Sequence, residues 1–165
     1  MSDSFYNQVG DYNKAIRNIG QPAFSSYVGV SHNDVTGNGT AYTVVYDSLA
    51  PLYVGGGFDV GTGIYTIPKT GVYAFSGTLT INDIGVLHTS LICNLQLGLL
   101  QHNLLKLNPT VIAVGGSITW SWGDSVSLLT AGAQVYVILT ISGSTQTCDV
   151  PAFFFSNRFE GVMLF

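Results

Sequence analysis

A chain of 165 residues is long enough to bury one proper core, so what needs explaining is how the outside of that core is covered. Only 8% of the residues are charged, the net charge is −4, and the five lysines and arginines are scattered, which excludes the clustered basic surface that nucleic acid requires. No apolar run approaches the roughly 18 residues of a membrane-crossing helix, so membrane insertion by helices is excluded too. Hydrophobic residues make up 47% of the chain, and an average globular protein carries about 25% charge. So little charge leaves a monomer's surface poorly covered and predicts that other copies of the chain cover part of it, because an obligate interface resembles a core cut in half.

Residues 1–21 form the first unit. Phe5, Val9, Tyr12, Ile16 and Ile19 follow one another at intervals of four, three, four and three, which is an apolar helical seam about two heptads long. Asp3 or Ser4 can cap its start, Gly20 and Pro22 stop it, and Lys14 and Arg17 lie toward its C-terminal end, where the helix dipole favours them. Gly10 and several asparagines weaken it, and two heptads alone are marginal in water. The segment reads as a short trimeric neck or as an anchoring peptide that joins a larger assembly. A tail with accidental spacing is the third reading. The opening MSDSFYNQVG has neither the basic start nor the apolar stretch of a secretory leader.

From residue 22 onward the pattern is β. Ala23–Ser31 reads as a first strand, His32–Thr40 as a polar loop tipped by Gly37-Asn38-Gly39, and Tyr42–Leu49 as a second strand. Gly55-Gly56-Gly57 is a bend, since neither a Lys-Ser/Thr pair nor a helix follows to make a phosphate loop. In the stretch Phe58–Phe75, Gly61 and Gly63 bracket a tight turn, Ile64–Ile67 is a short strand, and Pro68 and Gly71 break it before the chain resumes at Val72. Tyr73, Phe75 and Gly77 then fall on one face, and Val72, Ala74, Ser76 and Thr78 on the other, as in a strand of a two-sheet sandwich. His88–Leu100 reads as a strand and Gln101–Pro109 as a loop. Val111–Trp122 and Ser125–Leu129 read as strands around a turn at Gly123-Asp124. Gln134–Ser142 reads as a strand buried on both faces, 143–155 as a long loop, and Asn157–Phe165 as the closing strand. The expectation is an all-β antiparallel sandwich of about ten strands.

Phe58, Asp59, Thr62, Gly63, Tyr65, Pro68, Gly71, Tyr73 and Phe75 together resemble the signature of the complement C1q globular head, a domain of the C1q/tumour-necrosis-factor-like jelly-roll superfamily. Phe159, Gly161 and the apolar run to Phe165 resemble that family's closing strand. Leu128–Val137 resembles its strand–turn–strand, with Ala133 where the family commonly has an acidic residue. The resemblance spans 22–165. It implies a jelly-roll head with Phe58, Gly63, Tyr65, Gly71, Tyr73, Phe75, Phe159, Gly161 and Phe165 as its signature core. The family often carries a collagen stalk, and residues 1–21 contain no Gly-X-Y repeat.

Enzymatic chemistry is not expected. His32, His88 and His102 have no partners at the spacing of a metal or catalytic motif and read as polar residues at strand ends. The family sometimes binds calcium through loop carboxylates. Calcium takes about six to eight oxygens, and the loop acids Asp124 and Asp149 have no acidic cluster around them, so no cofactor is assigned. Cys93 in a strand and Cys148 in a loop read as two unpaired thiols, one of them buried. Phe153-Phe154-Phe155, beside Arg158, reads as buried filling, or, if exposed, as an interaction patch. The expected function is therefore a homotrimeric structural or binding module. The missing leader and the seam in place of a collagen stalk point to a virion surface protein, a capsid decoration or a fibre head. The alternative is a secreted recognition protein for protein or glycan ligands.

Overall fold

The computed structural model describes residues 20–109, 116–153 and 156–165, with backbone alone at Leu52 and Asp124. The seam residues Phe5, Val9, Tyr12, Ile16 and Ile19 lie outside the described residues, as do Phe154 and Phe155.

Thirteen strands are present among the described residues: β1 (Ala23–Tyr27), β2 (His32–Thr36), β3 (Ala41–Thr43), β4 (Ser48–Val54), β5 (Phe58–Asp59), β6 (Ile64–Thr66), β7 (Gly71–Ile84), β8 (Ser90–Leu97), β9 (Leu100–Leu107), β10 (Gly116–Leu129), β11 (Gln134–Ser142), β12 (Cys148–Val150) and β13 (Arg158–Met163). They form two antiparallel sheets. The first runs β2-β12-β7-β13-β1-β4, with β10 also paired to β7. The second runs β5-β6-β11-β8-β9, with β3 also paired to β11. Apart from the β5–β6 and β8–β9 hairpins, strand neighbours are far apart in sequence, as a jelly roll requires, and the fold is the expected all-β sandwich.

β7 is the spine of the first sheet. Its alternation is strict: Gly71, Tyr73, Phe75, Gly77 and Leu79 are buried, and Val72, Ala74, Ser76 and Thr78 are half-buried on the other face. β13 and β10 flank it in register, placing Phe159 and Trp122 on either side of Gly77. The core between the sheets is an aromatic cluster. The ring of Phe24 lies 4.3 Å from Tyr65, 4.9 Å from Phe58 and 5.0 Å from Phe159. Gly161 is forced by this packing: a Cβ there would sit 2.5 Å from Phe24 Cε1 and 2.7 Å from Phe75 Cε1. Gly63 is forced by its backbone. Its φ of 71° belongs to the left-handed region, and a Cβ would meet the Val44 carbonyl oxygen at 2.3 Å.

Several expected boundaries move. The Tyr42–Leu49 run is not one strand, because the chain changes sheets inside it. Thr43 pairs with β11, Ser48 pairs with β1, and Val44 and Tyr46 cross between them through the core, with the Val44 amide donating to the Val137 carbonyl at 2.9 Å. The polar segment from His32 is strand β2, held by β12 in what had read as loop. Gln101–Leu107 is strand as well: β9 is an edge strand, so its exposed polar residues imitate a loop. Gly123-Asp124 is a bulge within one long β10, not a turn, since pairing to β7 resumes on both sides. β11 is not buried on both faces. Val135, Val137, Leu139 and Ile141 face the core, and Tyr136, Ile138 and Thr140 are only half-covered.

Candidate binding surface

Two clusters of titratable side chains among the described residues serve the fold. His88 is fully buried rather than a polar residue at a strand end. Its Nδ1 accepts from the Gly85 amide at 2.9 Å, so the proton sits on Nε2, which donates to the Gln146 carbonyl at 2.8 Å. The Cys148 thiol lies 3.8 Å from Nε2 and 3.9 Å from Nδ1. Both ring nitrogens are already engaged, so the imidazole has no lone pair left to take the thiol proton. Burial, helped by Asp83 and Asp149, pushes the Cys148 thiol up to about 11. This pair is a pin that ties the 85–88 turn to β12. Cys148 therefore stands buried on a strand, not in a loop, and neither it nor Cys93 is in a disulfide. Burial raises the Cys93 thiol even further.

The second place is Asp47. Its carboxylate accepts from the Gly29 amide at 2.6 Å and the Val30 amide at 3.1 Å, and His32 Nε2 lies 3.4 Å away. It fastens the β1–β2 connection to the β3–β4 crossover, and no nucleophile or metal set accompanies it. Among the described residues no three His, Cys, Asp or Glu side chains converge as a metal site.

What remains is surface. On the outward face of the first sheet, Val72, Ala74, Ser76 and Thr78 of β7 lie beside Val126, Leu128 and Ser121 of β10 and beside Arg158, Glu160 and Val162 of β13. The only charged side chains in this group are Arg158 and Glu160, and they pair with each other at 2.5 Å. Arg158 Nε also donates to Ser25 Oγ at 3.1 Å. The flank thus presents hydroxyls and aliphatic groups with its one pair of charges internally neutralised. A second incomplete region lies on β9 and β10, each at an edge of its sheet among the described residues. Leu104, Leu105, Leu107, Ile118, Trp120 and Trp122 reach the core from these strands yet stay half-covered, and Leu100 is 60% exposed. The indole Nε1 of Trp120 and of Trp122 is withdrawn from solvent with no acceptor.

The signature residues Phe58, Gly63, Tyr65, Gly71, Tyr73, Phe75, Phe159 and Gly161 are all buried, and the structure gathers them between the two sheets. Phe165 is not core: its side chain is 75% exposed, although its carbonyl still accepts from the Val72 amide at 2.8 Å beyond the end of β13. Phe153 does not fill the interior either. It is 53% exposed, in the turn that its carbonyl closes with the Ser156 and Asn157 amides. Arg158 does not join it, being drawn onto the sheet face by Glu160 and Ser25. The half-covered side at β9 and β10 left no mark in the residue pattern, because Gln101–Pro109 reads as loop.

No family model matches the chain, and no curated protein matches it. Solved structures do. The chain is similar to the crystal structure of murine APRIL at pH 8.5, with 12% identity over 87% of this chain and 99% of that one and a TM-score of 0.56. It is similar to the structure of Eiger TNF from S. frugiperda, with 13% identity over 88% of this chain and 93% of that one and a TM-score of 0.59. At such identity the likeness concerns the fold. The chain has the fold of the C1q/tumour-necrosis-factor-like jelly-roll superfamily.

Proposed function

We propose that this chain is a non-enzymatic, homotrimeric display module whose three heads bury one another's uncharged flanks. The observation that carries the reading is the part of the first sheet's outward face formed by Val72–Thr78 of β7 with Ser121, Val126 and Leu128 of β10 and Arg158, Glu160 and Val162 of β13, where the charged side chains are the Arg158–Glu160 pair. Taking hydroxyl and aliphatic groups out of water costs far less than burying unpaired charge, and the half-covered β9 and β10 strands offer an apolar edge. The pinned His88–Cys148 pair favours a binding role over catalysis. The module works at a virion surface, as a capsid decoration or fibre head, with residues 1–21 linking it to the particle. The low charge and the apolar seam support that placement. A secreted recognition role for protein or glycan ligands is the alternative, and it would show as ligand capture on a glycan or cell-surface array.

Light scattering on the purified full chain tests the trimer, with an expected mass about three times the 17.5 kDa of one chain. A single-chain mass refutes it. A capsid gene beside the coding gene supports the virion placement, and a host genome with no phage or virus genes around it refutes that placement.

A further inference from the structure

The second sheet turns its outer face away from the first, and the centre of that face is built of side-chain amides. β8 and β9 pair with Leu91 opposite Leu107, Ile92 opposite Lys106 and Cys93 opposite Leu105. Leu104 is then skipped in a bulge that shifts the register by one, so Asn94 stands opposite Asn103 and Gln96 opposite Gln101. Without the extra residue the two β8 amides would face Leu104 and His102. Cys93, Leu95 and Leu97 belong to the core, so Asn94 and Gln96 point outward. The result is a ladder of two amide rungs, about 7 Å apart along the strands. Tyr136 and Ile138 of β11 flank it, half-covered, opposite Gln96 and Asn94 in register.

Asn94 is only 9% exposed, and its Oδ1 is withdrawn from solvent with no donor from any described residue. An acceptor left unmade costs stability until a donor from outside reaches it. Its rung partner Asn103 and the neighbouring Gln101 are exposed, so their rotation opens the way to it. Gln96 is held in place, its Nε2 donating to the Gly98 carbonyl at 2.7 Å. Lys106 is the one charged residue at the outward positions of β8, β9 and β11. Leu100, the exposed large hydrophobic residue of β9, pairs with Leu97 on the core side instead. A protein partner needs exposed aromatic or aliphatic anchors, which these outward positions lack. An uncharged sugar needs what is present: amide donors and acceptors for its neighbouring hydroxyls, and a ring for its apolar C–H face.

We infer that this face binds an uncharged oligosaccharide, with the amide rungs bracketing the hydroxyls of one sugar residue and Tyr136 against its apolar side. The face lies across the sandwich from the sheet that the copies would cover, so it stays open in a trimer. The sites of one trimer then act together, and each can be weak. The inference rests on the binding reading above, at a virion or in secretion alike, and adds the ligand class and its place.

The test applies the labelled full chain to an array of neutral oligosaccharides built of hexoses and N-acetylhexosamines, with sialylated and sulfated ones as the charged arm. The expected result is capture by neutral members that added salt leaves unchanged. Capture by the charged members alone, or by none, overturns the inference. Gln101→Ala with Asn103→Ala, both at exposed positions, is expected to weaken capture about tenfold or more at an unchanged melting temperature. Undiminished capture overturns the inference. Asn94→Leu fills similar space without the unpartnered acceptor, so it is expected to lose capture while the melting temperature holds or rises. A lower melting temperature with capture intact makes Asn94 a structural residue and overturns the inference. Capture of a cell-surface protein with no sugar bound overturns this ligand class and leaves the binding reading standing. Solution mass is read on the same samples, so a failed sugar site and a failed trimer are distinguishable.

Discussion

Phe159 and Trp122 both stand opposite Gly77, one on each side of β7, yet their surroundings differ. Phe159 is fully buried, with rings of Phe24 at 5.0 Å, Tyr46 at 5.5 Å and Phe75 at 6.1 Å around it. Trp122 is half-covered, on an edge strand whose indole nitrogen has no acceptor. One side of β7 is closed by the chain's own aromatic residues. The other ends at an edge that no described residue closes. The signature residues therefore build a self-sufficient core on the β13 side, and the β10 side is the one that the proposed assembly would cover.

Substitutions separate these two sides, beginning with the largest effect. Phe159→Ala removes the hub of the closed side and should cost about 3–5 kcal/mol in urea unfolding, enough to unfold a marginal domain. A loss below about 1 kcal/mol would mean that the aromatic cluster is not the core. Gly161→Ala places a methyl against Phe24 and Phe75 and should cost about 1–3 kcal/mol by the same measurement. Trp122→Ser, on the open side, should lower the oligomer mass in light scattering more than it lowers monomer stability. The opposite ranking would make the two sides equivalent. Tyr46→Phe is the smallest. Its hydroxyl is buried without a partner, and burial, with Cys93 and Tyr42 nearby, holds its pKa well above the usual phenol range. Deleting the hydroxyl should change stability by less than about 1 kcal/mol, or raise it.

The pinned thiol adds a pH prediction. The folded pKa of Cys148 is raised to about 11 from an ordinary 9.0, so in between the unfolded state holds fewer protons than the folded one. Its contribution to stability is complete below pH 9 and falls as the pH rises toward 11. Maleimide labelling of the native chain at pH 7 should leave Cys148 unmodified, and denaturant should expose it.

The fold was legible where spacing and glycine chemistry agree. Gly63, Gly71 and Gly161 each mark a point where a side chain cannot fit, and the alternation from Val72 to Thr78 names the buried face of β7 without ambiguity. It was illegible where an element's surroundings decide. β9 is polar because it is an edge, and Cys148 is buried with His88, from the turn after β7, packed against it. The Val44–Tyr46 crossover is apolar enough to pass for strand. The candidate surface was legible only as a shortage of charge. Which face is uncharged depends on register: Arg158 and Glu160 fall on the same side of β13, and only pairing to β7 places them beside Ser76 and Thr78.

The central claim is that the first sheet's uncharged face is where copies meet. Thr78 stands in its middle, half-buried with its hydroxyl unpartnered and Arg158 paired opposite. Sedimentation equilibrium of the full-length Thr78→Lys chain beside wild type tests this most directly. The account predicts a trimer mass for wild type and a single-chain mass for the variant, with the fold retained. A variant that stays trimeric as tightly as wild type would contradict it.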